Sequence, residues 1–264
     1  MATHHPRKRF GQNFLTDANI AGKIVAAVDP APGDALLEIG PGHGALSRRL
    51  LTQLSRLEVV EVDRNLAAEL RGLETGGGEL VVHEADALAF DYAGLAAARG
   101  QALRVVGNLP YNISSPLLFT LFEQAAAIAD MHFMLQREVV DRLAAAPGSK
   151  TYGRLSVMAQ LECDITPLFR VPPGAFYPVP RVESAVVRLT PHTAEAPRPR
   201  DHARFAAVVA RAFQARRKTL RNALKGLCDP ACFVQAGIDP GARAESLSVA
   251  DFIRLADATA ETES

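Results

Sequence analysis

The stretch LLEIGPGHGAL, residues 36–46, limits the fold more than any other part of the chain. A short apolar run carrying one acid meets three glycines spaced two apart, and a leucine-rich segment follows. Such a run reads as a buried strand, and the glycines as a tight turn into a helix. The pattern recurs. Strands are expected at 35–39, 57–62, 79–83, 103–106 and 131–135. Helices are expected at 17–28 and 45–54, the latter with Leu46, Leu50, Leu51 and Leu54 on one face. Ser115 before Pro116 reads as an N-cap with proline at the first helical position. Strands separated by helices require right-handed crossovers, so the expected fold is α/β with a mostly parallel sheet.

Later the pattern changes. The apolar runs 163–171 and 184–189 lie close together with prolines between them, as in a hairpin closing the sheet's edge. The segment TPHTAEAPRPR, 190–200, reads as a proline-rich linker, and the remainder is helical. The expected division is a large domain over 1–192 and a small helical one over 200–264. A chain of 264 residues with 48% hydrophobic content can fill both cores. No apolar run approaches the roughly 18 residues of a membrane helix, and no apolar signal core follows the basic N-terminus. Three cysteines are too few for a disulfide framework. Cys228 and Cys232 have no nearby histidine or second cysteine pair, so no metal is expected. These features fit a reduced, cytoplasmic, non-membrane protein.

The formal net charge is zero, yet its distribution is uneven. Residues 198–225 hold nine lysines and arginines against one acid, Asp201. A merely solvated face usually mixes signs. A segment this basic, including Arg216, Arg217, Lys218 and Arg221, reads as a phosphate-backbone surface, and Arg7, Lys8 and Arg9 could extend it.

Gly40, Gly42 and Gly44 permit close approach of a ligand to the backbone, and loosely satisfy the dinucleotide pattern with Ala45 in the last place. Glu38 tips the balance the other way, because a carboxylate there opposes a pyrophosphate but suits a cationic amino-acid group. The Glu-x-Gly-x-Gly-x-Gly spacing also resembles motif I of S-adenosylmethionine-dependent methyltransferases. Either Glu61 or Asp63, at the end of the second strand, could hold a ribose diol. Asp86, after the third, is placed for an adenine amine. Three acids at successive strand ends point to a site for S-adenosylmethionine, with Glu61 taken as the ribose ligand.

The fourth strand empties into VVGNLPYNISSP, residues 105–116, where a stiff loop presents an amide and an aromatic ring. GNLPY resembles motif IV of the adenine-amine methyltransferases. With GQNFL (11–15), EIGPGHGAL (38–46), FYPVPRVESAVVRL (176–189) and RRKTLRN (216–222), it is similar to the family of bacterial 16S rRNA adenine dimethyltransferases over nearly the whole chain. His43, where leucine is common, and Ala215, where glutamine is usual, depart from the family pattern. The resemblance implies a Rossmann-like class I methyltransferase sheet, mostly parallel with an antiparallel edge hairpin, and a small all-helical C-terminal domain. It implies S-adenosylmethionine as cofactor and two adjacent adenines near the 3′ end of 16S rRNA, within the 30S subunit or its precursor, as substrate. A monomer with a role in small-subunit maturation is expected.

By the same resemblance, Asn108 and the Leu109 carbonyl accept the target amine's hydrogens, Pro110 stiffens the loop, Tyr111 stacks on the base and Phe176 covers its other face. Asn13 and Leu15 close over the cofactor, with Glu38, Gly40 and Gly42 on its methionine side and Asn108 also in contact with it. Arg7, Lys8 and the basic helix contact RNA. A 23S rRNA adenine methyltransferase of the macrolide-resistance type shares the core motifs, but the basic C-terminal segment favours the small-subunit enzyme. A DNA adenine methyltransferase would usually carry proline or a similar residue in place of Leu109. A non-catalytic ribosome-assembly factor is the reading from another class.

Overall fold

The structure, a computed structural model, describes residues 13–215 and 217–261. Arg7, Lys8, Arg9 and Arg216 lie outside the described residues.

Seven strands form one sheet: β2 (Leu36–Ile39), β3 (Arg56–Glu61), β4 (Glu79–Glu84), β5 (Leu103–Asn108), β6 (Ile128–Gln136), β7 (Cys163–Val171) and β9 (Ser184–Pro191). Their spatial order is β4-β3-β2-β5-β6-β9-β7. The pairs β2–β3, β3–β4, β2–β5 and β5–β6 are parallel, and β9 runs antiparallel to β6. All four residues of β2 are buried, as expected of a parallel strand covered on both faces. Between β2 and β5 the order reverses direction, which opens a crevice at their carboxyl ends.

Helices α1 (Ala18–Val28), α2 (Ser47–Leu50), α3 (Arg64–Arg71), α4 (Tyr92–Arg99) and α5 (Ser114–Glu123) connect the strands. Asp17 caps α1 by accepting from the Asn19 and Ile20 amides, and Asp63 caps α3 through Asn65. Leu36, Leu57, Val59 and Val106 of the sheet pack with Ile24, Val25 and Val28 of α1 and with Leu46, Leu50 and Leu54. A separate two-stranded ladder joins β1 (Phe14–Leu15) to β8 (Phe176–Tyr177). Its two-residue strands carry no periodicity in the sequence.

Two expected elements differ in detail. The helix at 45–54 contracts to α2, because 40–46 are spent in the glycine turns and the tail tightens through Thr52 N–H to Arg49 and Gln53 N–H to Leu50. The four leucines are buried as expected. Ser115 is not an N-cap. Helix α5 begins at Ser114 after Ile113, and Pro116 falls within the first turn, where its missing N–H is not needed.

The chain divides into two compact units. One comprises the residues up to Val140 with Ile165–Pro191, and the other Asp141–Asp164 with the residues from His192 onward. The second unit is helical: α7 (Arg154–Glu162), α8 (His202–Phe213), α9 (Leu220–Ala223), α10 (Pro230–Ala236) and α11 (Val249–Glu261), with α6 (Arg137–Leu143) leading into it. Val157 and Leu161 of α7 share a core with Phe205, Val208, Leu220, Leu224, Phe252 and Leu255. This core explains why 141–164, which precedes the linker, belongs with the C-terminal helices. Among the described residues no helix is long and apolar enough to cross a membrane.

Candidate active site

At the carboxyl ends of β2, β3 and β5 lies a cavity walled by Asn13, Phe14, Gly40, Gly42, Glu61, Asp86 and the loop Asn108–Ile113. All of these belong to the first unit. The sequence-expected Asn13, Gly40, Gly42, Glu61, Asp86, Asn108, Leu109, Pro110 and Tyr111 are thus brought together.

Gly42 sits at φ +57°, and a Cβ there would lie 2.9 Å from the Phe14 ring. Glycine therefore lets Phe14 close against the loop, where its ring also lies 4.5 Å from that of His43. His43 in turn pairs with Glu69 at 3.0 Å. The departure from the family pattern at His43 thus has a packing role beside the cavity.

Glu61 and Asp63 differ in their partners and in their place relative to the cavity. Asp63 is buried as the cap of α3. Glu61 is on the cavity wall, with Oε2 accepting from the Gly42 N–H at 3.3 Å and Oε1 from the Asp63 N–H at 2.9 Å. A carboxylate has about four acceptor positions, so these bonds fix its orientation and leave lone pairs for a ligand's hydroxyls. Burial pushes the Glu61 carboxyl up, while the backbone N–H groups pull it back. Asp86 is exposed and anchored by the Leu88 N–H on Oδ1 at 2.9 Å.

Asn108 is the last residue of β5. Its Nδ2 donates to the Asn13 carbonyl at 2.8 Å, which fixes the orientation of the amide on the cavity wall. Tyr111 meets Ser184 Oγ at 2.7 Å through its hydroxyl, and Ser114 Oγ donates to the Tyr111 carbonyl. Burial raises the Tyr111 phenol, so it remains a neutral, fixed ring. The loop is pinned at both ends of its ring-bearing residue.

Three expected residues lie behind the cavity rather than on it. Glu38 is buried, accepts from Ser47 Oγ at 2.6 Å, and has its carboxyl raised to about 7 chiefly by burial. Leu15 and Phe176 face each other across the β1–β8 ladder and pack into the core. Phe176 is therefore not placed as a lid in this structure; its apolar ring is taken up by the core. Arg217, Lys218 and Arg221 are exposed in the second unit. Phe14 and Ser184 were not singled out by sequence reasoning, although Phe14 lies between Asn13 and Leu15 in the quoted motif.

A doubly wound sheet with a glycine turn, a strand-end acid and an Asn-Leu-Pro-Tyr loop around one crevice defines a class I methyltransferase. The family model for ribosomal RNA adenine dimethylase matches residues 3–261. A ribosomal RNA small subunit methyltransferase A from Methylococcus capsulatus is 59% identical over 96% of this chain and 97% of that protein. One from Xanthomonas campestris pv. campestris is 56% identical over 95% of each. The crystal structure of a dimethyladenosine transferase from Plasmodium falciparum superposes with TM-score 0.76 at 25% identity, covering 92% of this chain and 95% of that one. That of the 23S rRNA methyltransferase ErmE, at 24% identity and TM-score 0.71, shares the fold over 94% of this chain and all of that one. The chain belongs to the ribosomal RNA adenine dimethylase family and is an rRNA adenine methyltransferase.

Proposed function

We propose that the protein uses S-adenosylmethionine to dimethylate the exocyclic amines of two adjacent adenines near the 3′ end of 16S rRNA, in the 30S subunit or its precursor. The observation that carries this is the placing of the Asn108–Tyr111 loop and Glu61 around one cavity. The cofactor reading rests on fit. Glycines 40 and 42 keep the cavity floor clear of side chains, Glu61 offers oriented acceptors to a ribose diol, and Asp86 offers one to an adenine amine. The cofactor supplies an already activated methyl group.

The chain's own residues then have to orient a poor nucleophile, since the adenine amine's lone pair is delocalised into the ring. Asn108 Oδ1 and the Leu109 carbonyl accept its two hydrogens and favour a tetrahedral nitrogen whose lone pair faces the methyl. No strong base is needed at this step, and positioning of this kind is worth up to about 7–11 kcal/mol. Tyr111 stacks on the extruded base, offsetting the few kcal/mol of unstacking. Glu38 acts from behind the glycine turn, Leu15 from the core beneath Phe14, and Phe176 by supporting the ladder. Arg217, Lys218 and Arg221, with Arg7, Lys8 and Arg216, bind rRNA phosphates. The enzyme works as a cytoplasmic monomer.

The test is methyl transfer from labelled cofactor to undermethylated 30S particles, 50S particles and free DNA in parallel. Transfer to 30S particles with two methyl groups per adenine is expected. Transfer to 50S particles or DNA instead, or to none of the three, overturns the reading.

A further inference from the structure

Two adjacent adenines cannot both occupy one cavity, so while one reacts the other must be held outside it. We propose that Tyr177 is the stacking platform for the nucleotide next to the reacting adenine, an inference that deepens the function proposed above and rests on it.

The β1–β8 register carries the argument. Phe14 pairs with Tyr177 and Leu15 with Phe176. Directly opposed residues of an antiparallel pair share a face. The Leu15–Phe176 face is buried in the core, whereas the Phe14–Tyr177 face includes Phe14 of the cavity wall. Tyr177 is thus the outward aromatic of the FYPVP segment, on the cavity side of the ladder, and it is 63% exposed. A tyrosine ring presents a flat apolar face with a polar tip, which is why tyrosine is enriched at interfaces.

The segment that follows returns to the same site. It runs through Pro178 and Pro180, which restrict its backbone, to Ser184, whose hydroxyl meets Tyr111. Tyr177 and Tyr111 are therefore linked through a short, stiff loop tied to the cavity at both ends. Val179 and Val182 on that loop are exposed and give an apolar surround. Arg181, exposed and without an ion pair among the described residues, offers a charge for the phosphate between two nucleotides. An open ring, an apolar surround and a cation fit single-stranded RNA, whose bases stack on aromatic side chains while the backbone tracks positive charge.

The experiment places 2-aminopurine beside the target adenine in 16S rRNA reconstituted into 30S particles, and follows fluorescence and single-site methylation together. Wild type and Tyr177→Phe should quench the probe on binding; Tyr177→Ala and Tyr177→Leu should not. The alanine variant should raise KM for 30S particles roughly tenfold with kcat changed far less, and leave cofactor affinity intact. Equal quenching by wild type and Tyr177→Ala, no quenching by wild type, or an unchanged KM in the alanine variant overturns the proposal. Quenching that depends on Tyr177 without any methyl transfer by the wild type would instead overturn the function proposed above and keep the platform.

Discussion

The side chain of Asn108 is tied to the backbone of Asn13, Nδ2 to carbonyl oxygen at 2.8 Å, across 95 residues of chain. One hydrogen bond therefore couples the Asn13 segment of the cavity wall to the amide proposed to face the target amine. An amide held by its donor presents its acceptor in a fixed direction, which is the preorganisation that alignment catalysis needs.

Replacing Asn108 with alanine removes both functions. Turnover should fall about a hundredfold or more, while affinity for 30S particles changes little. Asn108→Asp keeps an acceptor but sets a carboxylate against the Asn13 carbonyl, so its cofactor affinity should also drop. Single-turnover transfer and calorimetry measure the two effects; a near-normal rate in the alanine variant would remove the amide from the mechanism.

Gly107 stands in β5 beside the Ile39 end of β2. A Cβ there would lie 2.6 Å from the Ile39 carbonyl oxygen and 3.0 Å from the Leu109 side chain. Backbone in a parallel ladder cannot yield cheaply, so Gly107→Ala should cost about 1–3 kcal/mol of stability. Thermal unfolding checks this, and an unchanged midpoint would mean that the ladder relaxes at no cost.

Much of this was legible before the structure. The five central strands and the strand-end acids follow from apolar runs broken by glycine, a pattern set by local chemistry. The helix expected at 45–54 is longer than α2, because leucine spacing reports burial and not helix length. The β1–β8 ladder was unreadable, since two-residue strands leave no periodicity, and with it went the distinction between buried Phe176 and exposed Tyr177. Glu38 was expected to face the ligand, but a strand buried on both faces turned it inward to Ser47. The grouping of α7 with the C-terminal helices depends on long-range packing that the linear order conceals.

Glu38 gives a pH signature. Its carboxyl is raised from the ordinary 4.5 to about 7, by burial first and by the neighbouring Glu61 in part, against the Ser47 bond. The folded state therefore holds a proton that the unfolded chain releases. The contribution is fully present below pH 4.5 and is lost as pH rises to about 7. Glu38→Gln keeps an acceptor for Ser47 and has nothing to ionise. The variant should match wild type at low pH and be more stable above pH 7 by about 3 kcal/mol, read as the difference between two denaturation series. A pH-independent difference would show that Glu38 does not titrate in this range.

Tyr111→Phe removes the hydroxyl bonded to Ser184, which is fully buried. The ring remains, so the proposed stacking should survive, but the loop loses one anchor and Ser184 loses its partner. Stability should fall by about 1–2 kcal/mol, and KM for 30S particles should rise less than in Tyr111→Ala. If the phenylalanine and alanine variants were equally impaired, the hydroxyl rather than the ring would be the working part.

The basic segment offers a test of whether the second unit binds RNA. Arg217, Lys218 and Arg221 are exposed and make no ion pair among the described residues, and Arg211 bonds to Gln214 rather than to an acid. A face that was merely solvated would be insensitive to neutralisation, since isolated surface charges contribute little to stability. If the face binds rRNA phosphates, each charge removed should weaken 30S binding and flatten its salt dependence by up to about one unit of slope per contact. A triple Arg217, Lys218, Arg221 to alanine variant should therefore bind 30S particles far more weakly at low salt, with cofactor affinity and melting temperature unchanged. The same affinity as wild type at both low and moderate salt would strip this face of its RNA role and leave substrate selection to the first unit.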